Sequence, residues 1–563
     1  MLPIVQCLTR GLRAPAALFE AWNAANSLAS KQAFSHYRRN HITDTALSPP
    51  SGSPIWFPSF NIWKKAFWGV LGIRNSKFAA SCASFAYSKM TFAFTLPTTS
   101  QVNFTTSFAS SSAPSLPSAT TTRRALLRDS LKRHKRLSPT EQYNNLPSLL
   151  SSISEYLPYL YTLDAYITSQ DITPLNEFET EWRAVLSRRT VPTELPRIRR
   201  KGLDYEICFA TASLAYVHTL RARAILASAI QAPPPTDNNA TNTSVHLINQ
   251  AKDQILTAGS IFLYLQNRST ARERGGSQPM PADVTTSIYN ALWSLCLASA
   301  TLLAVLKDDP YPSIVALQHD KNSREWMYKA PTVPTRVRAL LLARLCMYSA
   351  DMAGKAAAGV AATPGSGAEL KGYCDDLAKT AKAKACRFLG VDAEAQGKLG
   401  EAIGWILAGK EVLGLVVGGD GDKGKLGRGL DMLKKAREER KMEKVPMEAL
   451  LGPDAGRMEE AMVLIELEKR WRRVNDSVNF QTVPSTSSLV ATLPSGRPMF
   501  PENQTWTPPK LSSSELSQLQ AQAPNGAETD WVGADDSDDD IVAPPESSMP
   551  PGGFPRSQST GYY

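Results

Sequence analysis

The sequence predicts an all-α protein, a helical solenoid assembled from stacked helices. From Arg124 to about Val474, apolar residues recur with the 3.6-residue period of a helix. Clusters of proline and glycine separate the helical stretches, and the alternation typical of strands is nearly absent. Antiparallel helices stacked in a line form an extended groove, a geometry suited to binding another protein.

The chain before Arg124 predicts two further segments. Residues 91–104 (TFAFTLPTTSQVNF) form a short apolar stretch that we expect to pair as a small hairpin. Residues 1–89 hold ten Lys and Arg but only two acidic residues, so they superficially resemble a mitochondrial presequence. Because Met90 begins a stretch that looks like a natural start, we interpret 1–89 as a disordered extension or an incorrectly assigned start, with targeting as the alternative.

Apolar side chains at steps of three and four mark the cores of the helices. The helix from Ile288 to Leu306 is apolar almost all round, which predicts a central position in the array. Loops are expected at 232–236, 275–281, 332–334, 364–367 and 418–429. The stripes are Leu203, Ile207, Ala210, Leu214 and Val217; Ile288, Leu292, Leu295, Leu302 and Leu306; Val337, Leu341, Leu345, Tyr348 and Met352; and Leu464, Leu467, Trp471 and Val474.

Composition places the chain among proteins with one large core. Hydrophobic residues make up 43% of it and are spread through the long middle, which favours a single domain over 90–490. The seven cysteines show no paired spacing, and Cys208, Cys296 and Cys346 fall in apolar helical runs, so we expect reduced, buried thiols. No apolar run approaches the roughly 18 residues of a membrane span, so any membrane contact is expected to be peripheral.

Beyond Pro484 the composition shifts to Pro, Ser, Gln and Asp. From 485 onward ten acidic residues stand against three basic ones. Such a sequence buries too little apolar surface to fold, so residues 491–563 are predicted to be a disordered acidic tail. The body of the chain is mildly basic, which suits an acidic partner or an anionic membrane surface without requiring nucleic acid.

No arrangement of residues predicts catalysis or metal binding. None of the six histidines has the spacing of a metal ligand, and His218 is expected to be structural. The cluster GLVVGGDGDKGKLGRG lacks the order of a phosphate-binding loop, and no strand precedes it. A nucleophile elbow and a carboxylate pair are also lacking. We therefore expect no enzyme activity, no cofactor, no metal and no small-molecule substrate.

Three segments resemble one known family. They are 202–223 (GLDYEICFATASLAYVHTLRAR), 397–414 (GKLGEAIGWILAGKEVLG) and 474–484 (VNDSVNFQTVP). In this order they resemble the LgYE helix, the G.EIarL helix and the DNd.iY...VP segment of the Bro/ALIX (BRO-one) domain family. The resemblance implies a boomerang-shaped, tetratricopeptide-like solenoid that acts as a non-enzymatic adaptor.

The short tail leaves no room for the coiled-coil arm of the larger family members. The architecture is similar to that of single-domain members in fungal ambient-pH (Pal/Rim) signalling. This similarity implies a cytoplasmic adaptor that is recruited peripherally to plasma-membrane or endosomal ESCRT sites. The adaptor is expected to bind the ESCRT-III filament subunit and other pH-signalling components. Its binding is expected to help lead to proteolytic activation of the pH-response transcription factor. A general adaptor in endosomal sorting and a basic helical scaffold for RNA are the alternatives, although RNA binding favours exposed aromatics among the basic residues.

The resemblance also implies a surface for the C-terminal amphipathic helix of the ESCRT-III subunit. It brings Leu303 and Leu306 near that surface. If Leu341 faces the core, the helical period places Leu340, Arg344 and Met347 on an adjacent stripe that can receive an amphipathic helix. The alternative, in which Leu340 packs on a neighbouring repeat, stays open.

Two basic clusters complete the candidate sites. Arg472 and Arg473 are a second spot that can pair with acidic residues of the partner helix, and surface charge is the alternative. Arg197, Arg199, Arg200 and Lys201 are candidates for contact with anionic lipid, each worth up to about 1 kcal/mol, with plain solvation as the alternative.

Overall fold

The computed structural model describes residues 91–110, 112–188, 195–231, 238–274, 280–312, 336–415 and 454–521. These residues all belong to one compact unit. The predicted extension 1–89, the glycine-rich loop 418–429 and the acidic tail beyond 521 lie outside the described residues. Helices dominate the described part, which confirms the all-α prediction.

Helices that follow one another in the sequence also pack on one another, as the solenoid prediction required. Each helix from α2 to α9 contacts the one before it. The short α10 packs on α8, and the longest helices form the middle of the array. The helices are α1 (Leu116–Arg136), α2 (Pro139–Thr168), α3 (Leu203–Gln231), α4 (Asn238–Arg274), α5 (Thr286–Lys307), α6 (Arg336–Ala362), α7 (Ala368–Ala395), α8 (Leu399–Val412), α9 (Arg457–Val474), α10 (Thr486–Val490) and α11 (Ser513–Ala521).

Two small antiparallel sheets accompany the helices. Strand β1 (Phe108–Ser110) pairs with β2 (Ile172–Pro174), and β3 (Glu179–Arg183) pairs with β4 (Arg197–Lys201). The hairpin expected within 91–104 does not form. This segment instead hydrogen-bonds to the edge of β3, because its aromatic side chains are drawn into the core, where Phe94 stacks on Tyr216 and Phe104 on Phe178.

The predicted core stripes of α3 and α5 are buried throughout. The stripe of α6 was partly wrong, because Leu341 is 39% exposed whereas Leu345, Tyr348 and Met352 are buried. In α9 the last member of the stripe, Val474, is also exposed. The line of closest packing on α6 passes through small side chains, which allow neighbouring helices to approach; these are Ala339, Ala343, Cys346, Ser349 and Ala353.

Helix α5 is long and apolar enough to cross a membrane, contrary to the expectation that no run reaches that length. Within the domain, 83% of its most apolar window is buried. It contacts α4 on one side and α6 on the other. Its composition is therefore that of the central core helix that the sequence predicted.

The described cysteines are free and buried, as expected for reduced thiols in a core. Burial raises the pKa of Cys208 to about 12, so this thiol stays protonated at neutral pH. The same cause raises the pKa of Cys346 to about 12. Such thiols behave as small apolar side chains.

Glu206, in the LDYE segment, is the centre of a fully buried polar network. Its carboxylate accepts hydrogen bonds from Arg124 Nε (2.9 Å), Tyr156 OH (2.9 Å), Thr180 Oγ1 (2.7 Å) and Trp182 Nε1 (2.7 Å). Burial by itself would raise the pKa of Glu206, but the charge of Arg124 and the hydrogen bonds outweigh it and lower the pKa. The network joins α1, α2, β3 and α3.

A second buried network lies toward the C-terminal end of the array. The Arg387 guanidinium on α7 donates to both oxygens of Asp309 (3.0 and 2.6 Å) and to Glu460 on α9 (2.6 Å). Lys384 donates to the same Glu460 carboxylate at 2.6 Å. These charges have almost no contact with solvent, so each depends on its partners for stabilisation.

The Glu206 network gives a pH-dependent prediction. Glu206→Gln should lower the free energy of unfolding by about 3–5 kcal/mol at neutral pH, because Arg124 stays buried without its counterion. A carboxylate with a lowered pKa stabilises the fold above its ordinary pKa of about 4.3, and this stabilisation is lost as the pH falls. Urea unfolding should therefore show a difference between the two proteins that shrinks below about pH 4.

The matched control is Glu155→Gln, which removes an exposed ion pair with Arg123 (2.7 Å). Surface pairs contribute at most about 1 kcal/mol, so its unfolding curve should nearly coincide with that of the unchanged protein. An equal loss in the two variants would contradict a structural role for the buried carboxylate.

Candidate functional site: the surface around the start of α6

The helix pair α5 and α6 is antiparallel, and one contact sets its register. Ser349 Oγ on α6 donates to the carbonyl oxygen of Ala298 on α5 (2.9 Å). Counting from this contact, Leu303 and Leu306 lie level with the α6 turn that contains Leu340 and Arg344. The helix pair thus brings the predicted partner-binding residues of α5 and α6 to one level.

The side chains of Leu303 and Leu306 nevertheless point into the core and are 0% and 3% exposed. The prediction that they contact a partner was wrong. Because α5 packs between α4 and α6, its leucines near Lys307 have no free face to offer. The sequence spacing could not show this, since an apolar helix has no polar face to mark its outside.

Leu340 and Leu341 are the exposed apolar side chains of this turn, at 46% and 39%. Leu340 was predicted to be on the partner side, whereas Leu341 was predicted to be in the core. Arg338, on the same turn, is also exposed. The next leucines of the helix, Leu342 and Leu345, are buried, so the exposed pair is set apart from them, as is typical of a binding surface.

A segment near the C-terminal end of the described residues crosses α6 one turn further along. We name this segment, residues 495–521, the C-terminal strap. The carbonyl oxygen of Arg344 accepts a hydrogen bond from the Arg497 amide (3.1 Å), and Arg344 Nε donates to the carbonyl oxygen of Ser495 (3.3 Å). Met347 is half-buried against the core. The predicted stripe of Leu340, Arg344 and Met347 is therefore open only at Leu340.

The strap follows the backbone of α6 closely at one glycine. A Cβ added to Gly496 would lie 2.6 Å from the amide nitrogen of Tyr348, too close for any side chain. The Tyr348 hydroxyl donates to Glu502 at 2.7 Å. Gly496 is thus required where the strap passes over the helix.

Beyond α6, the strap continues over α4 and α2 through an aromatic contact. The Trp506 ring packs at 5.3 Å from Tyr264 and 6.0 Å from Tyr161, and its backbone amide donates to the carbonyl oxygen of Ser260 (3.2 Å). Leu519, on α11, is buried. These contacts hold three helices together from outside.

The strap differs from the disordered tail predicted from residue 491 onward. Its apolar residues are few and lie among Pro, Ser and Gln, so the average composition hides them. They do not form a core of their own and instead pack on a core that the helices have already formed. The residues concerned are Phe500, Trp506, Leu511 and Leu519.

The turn after α9 joins two of the three family-like segments. The side chain of the buried Asn475 donates to the carbonyl oxygen of Gln481 and accepts from its amide (3.1 Å each). The Gln481 side chain accepts from the Gly400 amide and donates to the Gly397 carbonyl oxygen (2.9 Å each). A Cβ on Gly400 would overlap the carbonyl oxygen of Thr482. Gly400, the second glycine of GKLGEAIG, is thus required by the close approach of the VNDSVNFQTVP segment.

The predicted basic spot after Trp471 is on the surface. Arg472 Nε donates to Glu468 at 2.8 Å and remains 46% exposed, and Arg473 is exposed. Both belong to the last turn of α9. Their role toward a partner helix stays a prediction.

The four residues proposed to face a membrane lie on strand β4. Arg197 and Arg199 both donate to Glu181 (3.5 and 3.4 Å), and Lys201 pairs with Glu177. Arg200 is half-buried, and its guanidinium bonds the carbonyl oxygen of Arg199 (3.1 Å). Nearby carboxylates therefore offset much of this charge.

The described residues contain no group of three His, Cys, Asp or Glu side chains that could hold a metal ion. His218 is a partly buried side chain hydrogen-bonded to Gln254 (2.8 Å), and burial lowers its pKa. This environment is that of a structural histidine.

A stack of antiparallel helices fixed by buried ion networks defines a helical-repeat domain, with an exposed leucine pair on its surface. The pH-response regulator protein palC of Emericella nidulans is 35% identical over 514 residues, which cover 84% of this chain and all of that protein. The protein of the same name from Cryptococcus neoformans is 27% identical over 490 residues, 77% of this chain and 95% of that one. The chain belongs to the palC family of pH-response regulators, which confirms the relationship predicted from its architecture.

No protein-family model matches the chain. Among solved structures, it is similar to ALIX in complex with a late-domain peptide (14% identity, TM-score 0.46), covering 74% of this chain and 49% of that one. It is also similar to the ALIX BRO1 domain in complex with CHMP4C (14%, TM-score 0.43; 74% and 97% covered) and to a Bro1 domain studied for endosomal targeting (14%, TM-score 0.41; 77% and 95% covered).

The strap gives a prediction about local stability. Trp506→Ala should speed hydrogen exchange at the backbone amides of positions 497 and 506 by at least about tenfold, because the strap loses the burial of its largest apolar side chain. Global unfolding should change less, since the helices keep their own core. Mass-spectrometric hydrogen exchange measures both effects.

Met499→Ala is the matched control, because Met499 lies in the same strap and is 50% exposed. Its exchange rates should stay close to those of the unchanged protein. If Trp506→Ala leaves exchange in the strap unaltered, the aromatic contact does not hold the strap.

Proposed function

We propose that this protein is a non-enzymatic adaptor of fungal ambient-pH signalling that captures a short amphipathic helix of the ESCRT-III filament subunit. The observation that carries the proposal is the exposed pair Leu340 and Leu341 at the start of α6. Membership of a family of pH-response regulators supports the pathway. The resemblance of three sequence segments to Bro domains supports the class of partner.

The leucine pair has the chemistry that such a partner requires. An amphipathic helix buries its apolar face against exposed apolar side chains, and positive residues at the edge attract acidic residues on its other face. Arg338 on α6 and Lys307 at the end of α5 are exposed near this turn. Burying the rest of each leucine contributes about 1 kcal/mol, so the pair supplies only part of the roughly 8 kcal/mol that a micromolar affinity requires, and other contacts along the peptide supply the rest.

The pathway role follows from capture rather than from chemistry. An adaptor bound to assembling ESCRT-III at the plasma membrane or endosome would concentrate other pH-signalling components there. This would help lead to proteolytic activation of the pH-response transcription factor. The names of the two relatives describe regulators, which supports a role without catalysis.

The test is calorimetric binding of the full chain to a peptide of the C-terminal helix of the fungal ESCRT-III filament subunit. Leu340→Asp and Leu341→Asp should each weaken binding at least about thirtyfold, because a charge would enter the apolar contact. Raising the salt concentration should weaken binding further by screening the edge charges. Circular dichroism should show an unchanged helical content, since the two side chains are exposed.

Leu126→Asp is the control, because Leu126 on α1 is 52% exposed and lies outside the proposed surface. It should bind the peptide normally. Leu303→Asp should instead unfold the domain. Normal binding by both α6 variants would remove the leucine pair as the site, and loss of helical signal in them would show that these residues support the core.

A further inference from the structure

The turn after α9, residues 474–483, exposes four apolar side chains within ten residues. Val474 and Val483 are 40% and 38% exposed, Val478 is 69% exposed and Phe480 is 74% exposed. A protein gains nothing by holding a phenylalanine and a valine in water to this extent. Such clusters are typical of surfaces that enter an apolar environment.

The backbone of this turn is built to hold these side chains outward. Residues 475–479 form a π-helical turn, and the Phe480 amide donates to the carbonyl oxygen of Asn475 (2.7 Å). Phe480 has φ of 50°, a left-handed conformation that is unfavourable for an aromatic residue. The hydrogen bonds of Asn475 and Gln481 described above keep this conformation in place, so the outward direction of the ring is imposed by the fold.

The exposed side chains protrude from the surface and do not line a groove. At 74% and 69% exposure, Phe480 and Val478 touch little of their own chain. A pocket lined by Gln481, Thr482 and Pro484 lies beside the turn, but Phe480 and Val478 are not among the residues that line it. A protruding apolar turn instead matches a fluid apolar layer that closes around it.

Positive charge lies next to the turn. Lys469, Arg470 and Arg473 are exposed in the last two turns of α9, as is much of Arg472. The nearby acidic residues are fewer. Glu468 is engaged with Lys410 and Arg472, which leaves Asp476 as the exposed carboxylate of the turn. Apolar side chains at the tip with basic residues behind them are the pattern of an interfacial membrane contact.

We propose that residues 474–483 insert into the headgroup region of an anionic lipid bilayer. Phe480 and Val478 would enter the boundary with the acyl chains, and the basic residues at the end of α9 would lie against lipid phosphates. This contact uses other residues than the leucine pair of α6. It also differs from strand β4, whose Arg197, Arg199 and Lys201 already have carboxylate partners.

The experiment is flotation of the full chain with phosphatidylcholine vesicles containing about one third phosphatidylserine. The double variant Val478→Thr with Phe480→Asn keeps the turn, because threonine matches the shape of valine and asparagine tolerates the left-handed backbone. Its partition onto vesicles should fall about tenfold relative to the unchanged chain. Thermal unfolding should be unchanged, since both side chains are exposed.

Leu175→Thr is the matched control, because Leu175 is 57% exposed in the loop after β2. It should float like the unchanged chain. Residues 1–89 are identical in all variants, so any attraction of their basic residues to the vesicles cancels and the difference between variants reports the turn. High salt should remove the charge-driven part of binding and leave the effect of the double variant in place.

Three outcomes would overturn the proposal: no flotation of the unchanged chain, equal flotation of the double variant, or an equal loss in Leu175→Thr. Leu340→Asp separates this proposal from the proposed function. It should float normally while losing the ESCRT-III peptide, and the double variant should bind that peptide normally.

Discussion

The carboxylate of Glu206 is the interaction on which the rest of the structure depends. It is fully buried, and it accepts hydrogen bonds from α1, α2 and β3 while it belongs to α3. A charge in that position is stable only when all its donors are present, so the network selects one arrangement of these elements. Arg387 applies the same constraint further along, where Asp309 and Glu460 bring α7 and α9 together.

The buried networks fix the positions of the helices, and this explains how apolar side chains can stay exposed on the surface. With the helices fixed, Leu340 and Leu341 can stay exposed without the risk that they collapse into the core. The same reasoning applies to Phe480, whose backbone is held by the side chains of Asn475 and Gln481. In both places the chain keeps apolar area in water, at a cost to stability, at sites where a partner or a bilayer could cover it.

Much of the fold followed from the sequence, because helical periodicity and the LDYE, GKLGEAIG and VNDSVNFQTVP segments are local signals. The errors arose where long-range packing decides. The predicted stripe of α6 consists of large side chains and includes Leu341, yet the fully buried positions of this helix include the small residues Ala343 and Cys346. The family resemblance predicted Leu303 at the partner surface, and the spacing of an all-apolar helix could not correct this because it gives no sign of the outer face. The sequence did not predict the contact of Trp506, because one aromatic residue among polar ones does not change the average composition of the segment.

The strap also bears on how the protein is made. Gln520 hydrogen-bonds Tyr166, which precedes it by 354 residues, and Trp506 packs on Tyr161 and Tyr264, which precede it by 345 and 242 residues. During synthesis, the rings of Tyr161 on α2 and Tyr264 on α4 emerge from the ribosome long before the segment that covers them. The nascent solenoid therefore leaves these rings uncovered, open to chaperones and to other chains, until translation has passed residue 521.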